Sequence, residues 1–186
     1  MEKQRCSWVP LDDELYLDYH DKEWGIPVHD DHTLFEMLIL EGMQAGLSWI
    51  TILRKREGYR KAFDNFAIDE ILKYDDQKIE ELMQNPNIIR NRLKINSVIN
   101  NAKAFREVQA EFGSFAEFIW RYVDDKPLRI IRNGETHVPA RTELSDQISK
   151  DLKKRGFKFI GSTTICAYMH AVGLIDGHTD NCFCKR

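Results

Sequence analysis

The stretch Leu34-Phe-Glu-Met-Leu-Ile-Leu-Glu-Gly-Met-Gln-Ala-Gly-Leu-Ser-Trp-Ile-Thr-Ile-Leu53 decides how this chain folds. It is the richest apolar run in the sequence, but it is not a membrane span. Glu36, Glu41, Gln44 and Ser48 interrupt it, and a hydrocarbon core would penalise each of them. Read at helical spacing, it predicts a helix over 32–42 that Asp30 is placed to cap. A glycine break follows between Gly42 and Gly46. A second apolar stretch then starts at Leu47 and continues toward Arg60.

The helical period extends outward from there. Short helical stretches are expected over 68–74 and 75–84. A long amphipathic helix is expected over 88–112, with Ile95, Val98, Ile99 and Ala102 at helical spacing. Gly113 ends it, and Ser114 with Glu117 forms a capping-box start for the next helix. Residues 127–139, with Gly134 in their middle, read as a loop or a weak hairpin. Ser145 opens a helix to Lys154, a turn covers 156–161, and another helix covers 163–172. The tail from Gly173 onward has no helical pattern. No strand pattern is strong, so the fold class is all-α. There is no internal repeat and no low-complexity segment, and 186 residues suit one domain over 1–186. That length buries a core without disulfides.

The composition is 42% hydrophobic and 31% charged, which suits a globular chain. The net charge of −3 weighs against a uniformly basic nucleic-acid binder but leaves room for one basic face. No apolar run follows the N-terminal Met-Glu-Lys-Gln-Arg-Cys, so no signal peptide is expected. A cytoplasmic location without membrane association follows, and thiols stay reduced there. The four cysteines are then free thiols or metal ligands rather than disulfides.

Cys6, His20, His178, Cys182 and Cys184 lie in the first and last segments. Cys and His are the usual donors to tetrahedral zinc, and His178-x-x-x-Cys182 is a plausible chelating pair. Cys6 and His20 would need the fold to bring them together. The pattern admits a plainer reading, with Cys6 a surface thiol and His178 a loop histidine. Cys166 lies inside an apolar helical run and reads as core.

Glu41 falls on the apolar side of its helix, between Leu34, Met37 and Leu38. Glu36 lies across the wheel, where an outlet to solvent is expected. A carboxylate on an apolar face costs free energy unless it is paired. Two readings follow: a core Glu satisfied by a backbone N–H or an Arg, or a carboxylate on a pocket floor awaiting a cationic or hydrogen-donating ligand. Trp8, Tyr16, Tyr19, Trp24 and Trp49 cluster nearby, and Tyr16 and Tyr19 share a face if their segment is helical. Rings with one acid suit a flat, positively charged ligand. Each ring taken singly is equally consistent with core.

Residues 150–158 read Lys-Asp-Leu-Lys-Lys-Arg-Gly-Phe-Lys, a basic run ahead of the turn from Gly156 to Gly161. Ser162, Thr163 and Thr164 follow at a helix start, where N–H groups and hydroxyls suit a phosphate. Arg54-Lys55-Arg56, Arg90, Arg92 and Lys94 offer further positive charge. A basic run is also what an ordinary solvated face looks like.

Four blocks in order carry a resemblance. They are Tyr19-His-Asp-Lys-Glu-Trp-Gly25, Leu40-Glu-Gly-Met-Gln-Ala-Gly-Leu-Ser-Trp-Ile-Thr-Ile-Leu53, Asn87-Ile-Ile-Arg-Asn-Arg-Leu-Lys-Ile95 and Lys153-Lys-Arg-Gly-Phe-Lys-Phe-Ile-Gly161. Together they closely resemble the 3-methyladenine DNA glycosylase I family, from about Cys6 to Cys182. The resemblance implies a helix-hairpin-helix glycosylase fold. It implies that Cys6, His20, His178 and Cys182 hold a structural zinc ion that packs segments 1–25 and 173–186 together. It implies that Glu41 hydrogen-bonds a flipped base, with Tyr16 and Tyr19 beside it, Trp49 stacking on it and Trp8 lining the site. Gly156, Lys158, Gly161, Thr163 and Thr164 would grip the DNA backbone, and residues 44–47 would lie near the gap left by the flipped nucleotide.

The expected reaction is hydrolysis of the N-glycosidic bond of 3-methyladenine in double-stranded alkylated DNA by a monomeric enzyme. Many helix-hairpin-helix glycosylases place an Asp after the hairpin. Helix 163–172 has no acid, in keeping with the pattern of this family. No lysine suggests itself as a Schiff-base nucleophile, so a monofunctional enzyme is expected. Two rivals are a zinc-stabilised DNA-binding module without catalysis and a zinc hydrolase acting on a small molecule. The second would need an open metal position, which four protein ligands do not leave.

Overall fold

Helix α2 (Asp31–Gln44) is the hub of the structure, a computed structural model that describes residues 3–130 and 139–186. Asp30 caps it, its carboxylate accepting from the Thr33 N–H at 2.9 Å. Residues 34–43 are all buried, so α2 is wrapped on every side. Around it pack α3 (Trp49–Ala62), α6 (Arg92–Phe112), α7 (Phe115–Trp120) and α9 (Ser162–Ala171). Helix α1 (Glu14–Lys22) lies on α3, while α4 (Ile68–Ile71) and α5 (Asp76–Gln84) pack on α6. Helix α8 (Glu143–Lys154) pairs with α9 across the turn 155–161.

The starts of two helices differ from the sequence expectation, for a common reason. Helix α6 begins at Arg92 because Asn91 caps it, accepting from the Lys94 N–H at 3.1 Å. Ile88, buried in the preceding turn, merely extends the apolar pattern. Helix α8 begins at Glu143 rather than Ser145. Thr142 is the cap and Ser145 answers it in a reciprocal capping box, and both residue types carry the same signal. The stretch expected over 68–74 is helical only to Ile71.

The fold is mainly helical, with one small exception. Strands β1 (Leu128–Arg129) and β2 (Ile175–Asp176) pair in parallel, Leu128 opposite Ile175. Residues 127–130 thus join the C-terminal tail, and residues 131–138 of the expected loop or hairpin lie outside the described residues. Two residues per strand are too few for an alternation to register in sequence. The end of α9 meets the N-terminal segment through Gly25 N–H to His170 O and Val28 N–H to Val172 O, both at 3.0 Å, and the tail meets it through Phe183 N–H to Gln4 O at 2.9 Å. No described helix is long and apolar enough to cross a membrane.

Candidate active site

Four helices and three connecting segments converge on a cavity of about 300 Å³. Trp8 comes from the N-terminal segment, Tyr16 and Tyr19 from α1, Trp24 from the turn after it, Glu41 and Gln44 from α2, and Trp49 from α3. Helix α9 contributes Thr163, Cys166, Ala167 and His170, with Pro139 and Ala140 completing the lining. The rings meet one another edge-on or tilted: Trp8 with Tyr16 at 5.8 Å, Trp8 with Trp24 at 4.9 Å, Tyr19 with Trp49 at 5.3 Å. All five aromatic residues singled out in the sequence therefore line one space. The α9 wall was not anticipated, and Cys166 is both buried and cavity-lining. Its signal was present: 163, 166, 167 and 170 are one helical face.

Glu41 sits in this cavity as an acid without a partner. It is 4% exposed, and its Oε2 has no hydrogen-bond partner among the described residues. Burial pushes its pKa up to about 8, so it is protonated at neutral pH. The buried Trp49 Nε1 likewise lacks an acceptor among the described residues. The cavity thus offers one unmet carboxyl among aromatic rings, which suits a flat ligand bearing a hydrogen-bond donor. Burial also raises the pKa of Tyr19, with the nearby Glu41 adding to it.

Glu36 does not have the outlet to solvent that its place on the wheel suggested. It is 3% exposed and clamped by Arg56 Nε at 2.6 Å and Arg60 Nη2 at 2.8 Å. Helix α3 covers that face of α2 and supplies both guanidinium groups. Although burial opposes it, the two arginines hold the Glu36 pKa below the ordinary carboxylate value.

A second cluster lies behind the aromatic wall. The donor atoms of Cys6, His20 and Cys182 lie within 4.8 Å of one another, as do those of His178, Cys182 and Cys184. His20 Nδ1 is 2.8 Å from Asp21 Oδ1, and His178 Nδ1 is 2.8 Å from Asp176 Oδ1. Each carboxylate occupies Nδ1 and leaves Nε2 free to bind a metal, as the hydrogen-bonded carboxylate partners of metal-bound histidines do. His178 Nε2 is buried with no partner among the described residues, and His20 Nε2 is 3.6 Å from the Cys182 sulfur. These donors fit a divalent metal. Gly25 permits the packing: at φ +74 it faces His178, and a Cβ there would lie 2.7 Å from His178 Cε1. The cluster touches the cavity wall directly, since the Trp24 ring meets His178 edge-on at 4.7 Å and stacks on His170 at 5.8 Å.

The turn between α8 and α9 leads directly into the first turn of α9, where Thr163 lines the cavity. Lys158 and Thr163 are exposed, and Gly161 and Thr164 are half-buried. Gly156 takes φ +88 to turn the chain, and Gly161 caps α9 with no side-chain cap bond, leaving first-turn N–H groups for a ligand. Much of the other positive charge is committed elsewhere. Arg54 pairs with Asp13, Arg56 with Glu23 and Glu36, Arg92 with Glu80 and Arg155 with Glu111, and Lys94 is buried. Lys150, Lys153, Lys154 and Lys158 stay exposed.

The sequence profile of the methyladenine glycosylase family matches residues 8–185. A DNA-3-methyladenine glycosylase of Haemophilus influenzae is 48% identical over 97% of this chain and 97% of its own. DNA-3-methyladenine glycosylase 1 of Escherichia coli strain K12 is 44% identical over 97% of this chain and 96% of its own. A crystal structure of a Tyr-to-Phe variant of 3-methyladenine DNA glycosylase I in complex with 3-methyladenine superimposes with a TM-score of 0.94. It is 37% identical and covers 98% of this chain and 97% of its own.

Proposed function

The chain belongs to the methyladenine glycosylase family, and from that premise we propose that it excises 3-methyladenine from alkylated DNA through the cavity floored by Glu41. The activity is that of a DNA-repair glycosylase. The observation that carries the assignment of the cavity is the buried, unpaired Glu41 carboxyl among aromatic rings, beside the turn 155–161.

A base in a duplex must leave the stack before its glycosidic bond can be reached. The exposed turn and the open N-terminus of α9 hold the backbone, with Lys158 offering charge and Gly161, Thr163 and Thr164 offering N–H and hydroxyl groups. In this reading α8, the turn and α9 form a helix-hairpin-helix on double-stranded DNA, and the flipped base slides between the rings, with Trp49 stacking on it.

N3-methylation makes the base a cation. Its arrival beside Glu41 favours ionisation of that carboxyl, whose proton passes to solvent. The carboxylate then accepts from the exocyclic amine. A neutral adenine brings no charge to offset ionisation of a buried acid, so the cavity discriminates against it. When the C1′–N9 bond breaks, its electron pair goes to N9 and the base leaves neutral. Water adds to C1′ and loses a proton. Departure weakens the attraction to Glu41, so Glu41 selects and orients the lesion while the charge of the lesion itself drives cleavage. No lysine lines the described cavity, which supports hydrolysis without a covalent sugar–enzyme step.

We assign Cys6, His20, His178 and Cys182 as the ligands of a structural zinc ion. Four protein donors would close its coordination sphere, so it would supply no chemistry and would pin the two terminal segments behind Trp8 and Trp24. The proposal for the cavity is tested by chromatography of bases released from methylated DNA. Glu41→Gln and Trp49→Ala are each expected to lose about a hundredfold in rate or more. Wild-type release by Glu41→Ala would refute the cavity assignment.

A further inference from the structure

Lys94 belongs to a sequence block that the proposed chemistry leaves unused. Its side chain is buried, yet no carboxylate meets it among the described residues. Instead Nζ donates to Met43 O and Ala45 O, both at 2.7 Å. These are carbonyls at the C-terminal end of α2, whose last turn has no basic residue of its own. A buried ammonium costs more than an apolar side chain of the same length, unless the carbonyls it meets are the point.

Those carbonyls open the exposed turn 45–48, the link between the helix of Glu41 and the helix of Trp49. Two turns further along α6, two asparagines hold the other DNA-facing turn. Asn100 Nδ2 donates to Gly156 O at 2.6 Å. Asn101, 2% exposed, accepts from the Lys158 N–H at 2.8 Å and donates to Lys158 O at 3.0 Å. The last turn of α2, just ahead of turn 45–48, also packs on the other turn: a Cβ on Gly42 would lie 3.3 Å from Phe159, itself held at φ +55.

We propose that Lys94 is a positioning residue for base excision. Together with Asn101 it makes α6 a ruler that fixes turn 45–48 against turn 156–161, so that DNA gripped by one presents its flipped base at the register set by the other. Lys94 touches neither DNA nor base. This rests on the proposed function, because the spacing matters only for a base attached to a duplex.

The test compares two readouts on one protein. Lys94→Met is expected to bind free 3-methyladenine, read by tryptophan fluorescence, within about threefold of wild type. Its single-turnover release from methylated duplex DNA is expected to fall by about tenfold to a hundredfold. Lys94→Arg, which keeps charge and donors, is expected to recover most of that loss. If Lys94→Met does not fold, Lys94→Gln is read in the same way. Wild-type release by a folded Lys94→Met protein overturns the proposal, as does an equal loss in both readouts, which would mean that Lys94 merely shapes the cavity. Wild-type protein run alongside separates the two levels, since its own failure to release 3-methyladenine would refute the proposed function instead.

Discussion

Glu36 and Glu41 leave the same helix five residues apart, both buried, and are held in opposite protonation states. Two guanidinium groups ionise the first, and an apolar cavity protonates the second. The contrast gives each carboxyl a different pH signature. The folded pKa of Glu41 lies at about 8, above its ordinary value of 4.5, so its contribution to stability is full below 4.5 and lost as pH rises through about 8. Glu41→Gln is therefore expected to gain stability relative to wild type between about pH 5 and pH 9 while losing base release. Denaturant melts at the two pH values check this, and a constant difference between the proteins would contradict it.

Glu36 has the reverse sign. Its folded pKa is depressed by Arg60 and Arg56, although burial opposes them. Its stabilisation is present above the ordinary value and lost as pH falls through the folded one. Glu36→Ala leaves two guanidinium groups without their shared acceptor and is expected to cost about 3 kcal/mol, or roughly 10 °C in Tm. The loss should shrink in acid, where wild type has given up the same interaction. Calorimetry across pH reads both.

The metal assignment predicts one zinc released per chain on denaturation. Cys182→Ser should abolish it and Cys184→Ser should not, which chromogenic chelator titration distinguishes. Gly25→Ala, forcing a Cβ to 2.7 Å from His178 Cε1 at φ +74, should weaken retention. Because Trp24 packs on His178 at 4.7 Å and also lines the cavity, chelation should lower both Tm and affinity for free 3-methyladenine.

Much of this was legible in the sequence because it rests on short-range rules. Asp30, Gly113 and the helical spacing of apolar residues mark α2 and α6, and the aromatic set around Glu41 forms one wall of the cavity, alongside the α9 face that the sequence reading did not include. What escaped depends on partners distant in sequence. Glu36 looks outward on its own helix and is buried only because α3 lies across it. Lys94 and Arg92 read as free charge until the carbonyls of α2 and the carboxylate of Glu80 are seen beside them. Cys6 and His20 come near Cys182 only through the tail, whose two-residue strand has no pattern of its own.

Lys158 allows grip on the backbone to be separated from recognition of the base. Lys158 is exposed on the turn, and its backbone rather than its side chain is held by Asn101, so replacing the side chain should leave the turn in place. If its ammonium meets a phosphate, Lys158→Ala removes one counterion-releasing contact. The slope of log affinity against log salt should then fall by about one unit. Affinity should drop equally for methylated and unmodified duplexes, because a phosphate contact carries no information about the base. Affinity for free 3-methyladenine should not change. Asn101→Leu breaks the backbone clamp instead, and should weaken duplex binding without the clean one-unit change in slope. Titrations at several salt concentrations distinguish the two, and an unchanged slope in Lys158→Ala would remove Lys158 from the DNA interface.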